Sequence, residues 1–314
     1  MTWFFARRIG EAAVLVLAVT LLTFTLMSMT SDTVARSIVG QTASAEVVAQ
    51  KQAELGLDQP LIERFVQWLG GAVRGDFGSS WFTNESVGAL LFAKVPVTLS
   101  LVLATVLVAA VVSVVFGVIA AIRRGGWIDR ILQVVALAGF AFPSFVIALL
   151  LVLVFAVQLG WFPAIGFVPL TESPQLWLAS ITLPVAALAI QVVAATSQQI
   201  RGSMVDVLES DYIRTLRSRG VSPVGLYLKH ALRSAAPPAL TVLGLQSIAL
   251  IGGTVIIEKV FGMLGLGTAI VGASSQGDLP IVMGVVSVMV LIIVAINLLL
   301  DLAYAWLNPK VRVA

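Results

Sequence analysis

Residues Val95–Ile122 read VPVTLSLVLATVLVAAVVSVVFGVIAAI, 28 residues without a charge. The run shows no strict alternation of apolar and polar positions, so a half-buried strand is excluded. A helix needs about 20 predominantly apolar residues to cross the hydrocarbon of a bilayer. In lipid, an open chain satisfies its backbone groups only as a helix. This stretch therefore predicts a transmembrane helix.

The same reading repeats along the chain. Ala12–Ser31, Ser173–Ile200, Ser234–Ile257 and Leu279–Leu300 are also charge-free. Ile131–Thr171 holds a further run whose apolar part ends near Gln158-Leu159-Gly160. Six spans are predicted, at 9–29, 96–122, 131–157, 176–200, 236–257 and 281–306. Composition agrees: the 314 residues are 59% hydrophobic and 11% charged, against about 45–50% and about 25% in a soluble domain. The expected class is an all-α polytopic membrane protein. The first span has Arg7 and Arg8 before it, but its apolar stretch is too long for a signal peptide and Met27-Ser28-Met29 is no cleavage site, so it reads as an uncleaved anchor.

Several chemistries are unavailable. With no cysteine and a single histidine, His230, the chain cannot build a Cys/His zinc site, a cysteine nucleophile or a Ser-His-Asp triad. None of its five lysines follows a glycine, so there is no Walker A sequence. If ATP powers the protein, another chain hydrolyses it. Gly265-Leu266-Gly267 lies in no βαβ unit and reads as a turn, Gly277-Asp278 lacks the rest of an intramembrane protease signature, and no G-x-S-x-G occurs. No catalytic residue, metal ligand or cofactor is expected in this chain. Ionisable groups cluster at the span ends, and the mid-span polar groups are the neutral Gln133, Gln191, Gln246 and Asn297. Such amides form interhelical hydrogen bonds or line a pathway. A proton- or sodium-coupled carrier would want carboxylates there.

Thirteen of the 19 basic residues fall on one side if the N-terminus is inside. The positive-inside rule then puts both termini in the cytoplasm, and the net charge of +3 reflects topology and membrane lipid, not nucleic acid. The outer insert, 31–94, reads as two short amphipathic helices. Ser44 caps the first, which stops at Gly56; Asp58 and Pro60 open the second, with Leu61, Phe65 and Leu69 at four-residue spacing. Gly75-Asp76-Phe77-Gly78-Ser79-Ser80 is turn chemistry. This insert is a lid on the membrane surface, a docking face for an external partner, or both, with Asp58, Asp76 and Phe77 as candidate contacts.

The inner insert, 201–233, carries nine charges in 33 residues. Asp211 is read as capping a short helix through Arg219, with Gly220 as its left-handed stop. Ser222 caps the next helix, which opens on Pro223. Tyr212, Ile213 and Leu216 share one side of the first helix, and Arg214 and Arg217 the other. Two helices joined at a glycine form a handle for a cytoplasmic protein, or a basic loop drawn to anionic lipid. Arg123 and Arg124, in the preceding inner loop, are read as distant from this handle.

Asp211-Tyr212-Ile213-Arg214-Thr215, Arg219-Gly220 and Lys229-His230-Ala231-Leu232-Arg233 resemble the cytoplasmic loop of binding-protein-dependent ABC importer permeases. The resemblance is to dipeptide/oligopeptide permease subunits of the B type. It extends through Ala6-Arg7-Arg8, Leu55-Gly56-Leu57-Asp58-Gln59-Pro60-Leu61, Gly75–Ser80, Gly160-Trp161-Phe162-Pro163, Glu258-Lys259-Val260-Phe261 and the ending Asp301–Arg312. Leu216, Ser218 and Arg219 depart from the family's usual Ala, Ala and Lys, and its Glu-Ala-Ala signature is recognisable only through Gly220.

The resemblance implies a type I permease core in a bacterial inner membrane, importing di- or oligopeptides, or nickel chelates, opines or glutathione in related systems. It implies a homologous second permease, two cytoplasmic ABC ATPases using ATP and magnesium, and an extracytoplasmic substrate-binding protein. Asp211, Tyr212, Arg214, Thr215, Leu216, Arg217 and Gly220 would then couple to the ATPase, Tyr212 and Leu216 entering a groove on it. Gln191 and Gln246 would face the translocation pathway. The expected divisions are an N-terminal helix (1–30), the outer insert (31–94), a five-helix core (95–306) and a cytoplasmic tail (307–314). A stand-alone channel, a secondary carrier and a scaffold without transport are the readings from other classes.

Overall fold

The computed structural model describes residues 2–29 and 31–307. The predicted tail, with Lys310 and Arg312, lies outside the described residues apart from the backbone of Leu307. The chain divides into two compact units, residues 1–98 with 264–294, and residues 99–263 with 295–314.

The first unit is built on α1 (Thr2–Ser28), α2 (Ser31–Val39), α3 (Ala45–Glu54), α4 (Leu61–Ala72) and the first part of α5 (Val87–Ile122). Three short helices thus fill the outer insert where two were predicted. The four-residue spacing in α4 does what it predicts. Phe65 meets Phe24 of α1 edge-on at 5.5 Å between ring centroids, and Leu61, Trp68 and Leu69 pack around the pair. The Arg64 guanidinium lies over the Phe24 ring; burial pushes it below its ordinary pKa, and Asp58 opposes that shift. Ser44 Oγ accepts from Val47 N at 3.4 Å, so the predicted cap of α3 forms. Among the described residues the strand content is one isolated bridge, Ser79 to Ser86.

The second unit contains the rest of α5, then α6 (Trp127–Ala141), α7 (Ser144–Leu151, continued by π-helical turns to Gln158), α8 (Pro174–Leu208), α9 (Asp211–Ser218) and α10 (Leu232–Val260, preceded by π-helical turns from Gly225). α11 (Leu266–Gln276) lies in the first unit, and α12 (Leu279–Leu307) begins there. Among the described residues five helices are long and apolar enough to cross a membrane, and six with α6 and α7 taken together as one bent span.

The predicted span 131–157 is not one helix. α6 and α7 meet at 102°, so this predicted span is a bent pair of helices and not a single straight one. Pro143 has no N–H to donate, and a residue before proline is pushed out of the helical region; Phe142 accordingly sits at φ −104°, ψ 129°. Pro96, Pro184, Pro237 and Pro238 lie inside α5, α8 and α10 without breaking them. α5 also begins at Val87, seven residues before the predicted end of the insert at 94.

α8 is the centre of this unit. Ser100 of α5 accepts from Trp177 Nε1 at 3.1 Å, and Ser113 donates to Val193 O at 3.4 Å. Between those contacts and Ile200, α5 comes so close that Gly117 has no room for a side chain: a Cβ there would lie 2.6 Å from Ile200 Cβ.

Candidate functional site

α9 follows α8 after two residues. Ser210 is its N-cap by backbone geometry, but the Ser210 hydroxyl donates to Val207 O instead of capping. Asp211 is therefore the first helical residue and not the cap that its sequence position suggested. As an acid in the first turn it still suits the helix dipole. The helix ends one residue early, at Ser218, and Arg219 is its C-cap.

The stop is as predicted. Gly220 has φ +79°, its N–H reaches Arg217 O at 3.1 Å, and Val221 N reaches Leu216 O at 3.2 Å. These two bonds are the Schellman pattern, which absorbs the last carbonyls of a helix. Ser222 Oγ then accepts from Gly225 N at 3.3 Å, so the next helix is capped where expected.

One face of α9 is fixed and the other is open. Ile213 is fully buried among Met204, Leu226, Ala231 and Ala235, and Leu216 packs at the border of that cluster. Leu216 thus contributes to the chain's own core, where the sequence reading sent it into a partner's groove. Tyr212 is exposed and its hydroxyl donates to Ser234 Oγ at 3.1 Å. Asp211, Arg214, Thr215 and Arg217 are exposed. Asp211 and Arg214 form a 3.4 Å ion pair, too solvated to hold much energy.

The stem of α9 carries a feature that sequence reasoning missed. Asp129, in the first turn of α6 and only 1% exposed, accepts from Arg201 Nε at 2.6 Å and Nη2 at 2.8 Å. Gln133 Nε2 and the Gly125 backbone N–H, each at 2.9 Å, complete its shell. Arg124 pairs with Glu209, so the loop read as distant from the handle in fact holds its base. The available signal was a bidentate-capable arginine closing one span and an aspartate opening another.

The remaining candidates fall elsewhere. Gln191 Nε2 donates to Phe142 O at 3.0 Å, at the bend between α6 and α7. Gln246 is half-buried on α10. Asp58 and Asp76 are exposed and Phe77 is half-buried; Asp76 Oδ1 accepts from Gly78 N at 2.9 Å and so serves its own turn. Among the described residues no group of three or more His, Asp or Glu side chains comes together to hold a metal ion.

The chain matches a known family along nearly all of its length. Residues 113–313 fit the family described as "Binding-protein-dependent transport system inner membrane component", and residues 1–102 fit its companion, "Binding-prot-dependent transport system membrane comp, N-term". The chain belongs to this family. As a permease component it is a multi-pass protein of the bacterial inner membrane. It is 39% identical over 312 residues to a putative peptide transport system permease protein of Brucella abortus (strain 2308), covering 99% of each chain. It is 37% identical to a probable peptide ABC transporter permease protein of Sinorhizobium fredii, over 98% of each chain. The same identity holds over 94% of each chain with the glutathione transport system permease protein of Escherichia coli K12. A solved structure, "Inward facing conformations of the MetNI methionine ABC transporter", superposes with a TM-score of 0.54 at 16% identity. That overlap covers 70% of this permease and 96% of the solved chain, and it shows the shared type I permease fold.

Proposed function

We propose that this permease is the membrane subunit of an ATP-driven importer of di- or oligopeptides. The observation that carries the reading is 39% identity, sustained over 99% of the chain, to permeases named for peptide transport. Glutathione, itself a tripeptide, is the second reading, favoured by the Escherichia coli relative. A substrate-binding protein delivers cargo outside, a homologous second permease completes the pathway, and two cytoplasmic ABC ATPases consume ATP with magnesium. This chain makes and breaks no bonds of its own.

The basic bias places both termini in the cytoplasm, with 31–94 outside and 201–233 inside. The division into an N-terminal helix (1–30), outer insert (31–94), core (95–306) and tail (307–314) follows from that topology. In this reading the open face of α9 meets an ATPase. Tyr212, Arg214, Thr215 and Arg217 make the contact, Asp211 and Leu216 flank it, and Gly220 fixes where the helix ends. What supports α9 is its combination of a charged outer face with an anchor buried in the permease, because a helix seated on its own core transmits a push instead of deforming. ATP-driven closure of the ATPases displaces α9 and tilts the permease pair outward-open. Gln191 and Gln246 border the pathway, and Asp58, Asp76 and Phe77 seat the binding protein.

The test is to purify the tagged permease from its native membrane with its partners and measure uptake of labelled dipeptide, pentapeptide and glutathione into proteoliposomes. Peptide uptake that requires ATP and the binding protein supports the first reading, and glutathione uptake alone supports the second. Uptake without any ATPase would make the chain a stand-alone channel or secondary carrier.

A further inference from the structure

α6 is fastened to α8 along its whole length. In its first turn, Asp129 takes both arms of the Arg201 fork. Further along, Gly139 lies against Ile190 and Ala194, so closely that a Cβ there would sit 3.1 Å from Ile190 Cγ2. One residue past its end, Phe142 O receives Gln191 Nε2. Beyond that point the chain turns through 102° at Pro143. In the other direction α8 runs into α9, and there Arg124, on the turn entering α6, pairs with Glu209. The 124–129 turn therefore grips the stem of α9 at two places, 201 and 209.

The two pairs differ in stiffness. Asp129 is buried and accepts four hydrogen bonds, so every lone-pair direction is used and the arrangement has one geometry. Packed seams of this kind shift as a unit instead of stretching. A displacement entering at α9 cannot be absorbed between α6 and α8. The first soft point it reaches is the bend at Phe142 and Pro143, where the helical hydrogen bonds are interrupted.

We infer that Asp129 and Arg201, backed by Arg124 and Glu209, are positioning residues that join α6 to the α8–α9 stem as one lever, delivering movement of α9 to the Phe142–Pro143 bend. This rests on α9 being the ATPase contact proposed above. The lever explains why a carboxylate is buried at this place in a protein with no catalytic use for it.

The experiment uses the assembled transporter in proteoliposomes and reads cargo imported per ATP hydrolysed. Asp129→Asn keeps the side chain's shape and removes the charge facing Arg201, and Arg201→Lys keeps the charge and removes the fork. Each should leave the ATPases bound and hydrolysing while cargo per ATP falls about fivefold or more. Arg124→Glu and Glu209→Arg change side chains that are more than half exposed, where substitutions disturb folding least. Each alone should lower the ratio by less, and the two together should restore it. A purely structural pair would reduce the yield of assembled complex but leave cargo per ATP at the wild-type value. That result in the Asp129→Asn complex overturns the inference, as does a charge swap that restores nothing. Should the Asp129 and Arg201 variants fail to assemble, the swap decides alone. Cross-linking from Ser218→Cys to the ATPase separates the two readings. If the otherwise wild-type complex gives no cross-link, α9 is not the contact and the proposed site falls. A cross-link with cargo per ATP unchanged in Asp129→Asn removes only the lever.

Discussion

Ser80 donates its hydroxyl to Asp278 at 2.5 Å, although 198 positions separate them in sequence. The same oxygen accepts from Phe82 N at 3.2 Å and Thr83 N at 3.0 Å, and Asp278 also receives Trp81 N. One hydroxyl thus uses its donor and both acceptor directions, pinning the turn after Gly78 to the start of α12.

Ser80→Ala removes all three bonds at a buried place and should destabilise the first unit by about 1–3 kcal/mol. Asp278→Asn leaves an oxygen for Trp81 and should cost less. Thermal unfolding of the purified permease in detergent measures both, and an unchanged midpoint for Ser80→Ala would show the network to be dispensable.

Close approach gives a second prediction. Gly117→Val forces α5 away from Ile200 of α8, where even a Cβ has no room. Overpacking of this kind costs about 1–3 kcal/mol. Ile200→Ala opens a cavity by itself but should offset much of the loss when combined with Gly117→Val, because the two changes share one space. Additive losses in the double variant would mean that the helices do not meet there.

Spans were legible because charge-free length is a one-dimensional signal. The break in 131–157 was written there too, in Phe142-Pro143, but α5, α8 and α10 contain prolines and continue, so proline alone does not decide. The Ser44 cap, the Gly220 stop and the Leu61, Phe65, Leu69 stripe were readable because each is local. The long-range polar contacts were not. Asp129 with Arg201 and Ser80 with Asp278 depend on which helix ends meet, and periodicity carries no such information. That is also why Arg124 looked distant from α9, and why Leu216 was assigned to a partner's groove when its own core was nearer.

Topology is directly testable, since the chain has no cysteine. Ser44 and Ser79 are exposed in the outer insert, and Ser218 is exposed on α9. Single cysteines at Ser44 and Ser79 should react with an impermeant maleimide in intact spheroplasts, and one at Ser218 only after lysis. The opposite pattern would invert the proposed orientation and move α9 out of reach of any cytoplasmic ATPase.

The end of α9 gives the most demanding test. Gly220 has φ +79° with nothing within 4 Å of where a Cβ would stand, so a substitution there is opposed by backbone strain and not by crowding. Left-handed backbone costs an ordinary L-residue roughly 1–2 kcal/mol, and a β-branched side chain more. Gly220→Val should therefore extend or bend α9, break the Val221–Leu216 bond and turn Arg214 and Arg217 away from their present direction. Ile213, at the centre of its buried cluster, should hold the first turn in place, so the permease still inserts and assembles. Removing Arg214 or Arg217 singly takes away an exposed charge and should weaken ATPase binding by about 0–1 kcal/mol. The expected order of cargo imported per ATP is wild type, then Arg214→Ala, then Gly220→Ala, then Gly220→Val. A Gly220→Val complex with stoichiometric ATPase and wild-type hydrolysis stimulated by the binding protein would show that α9 does not need its stop to couple.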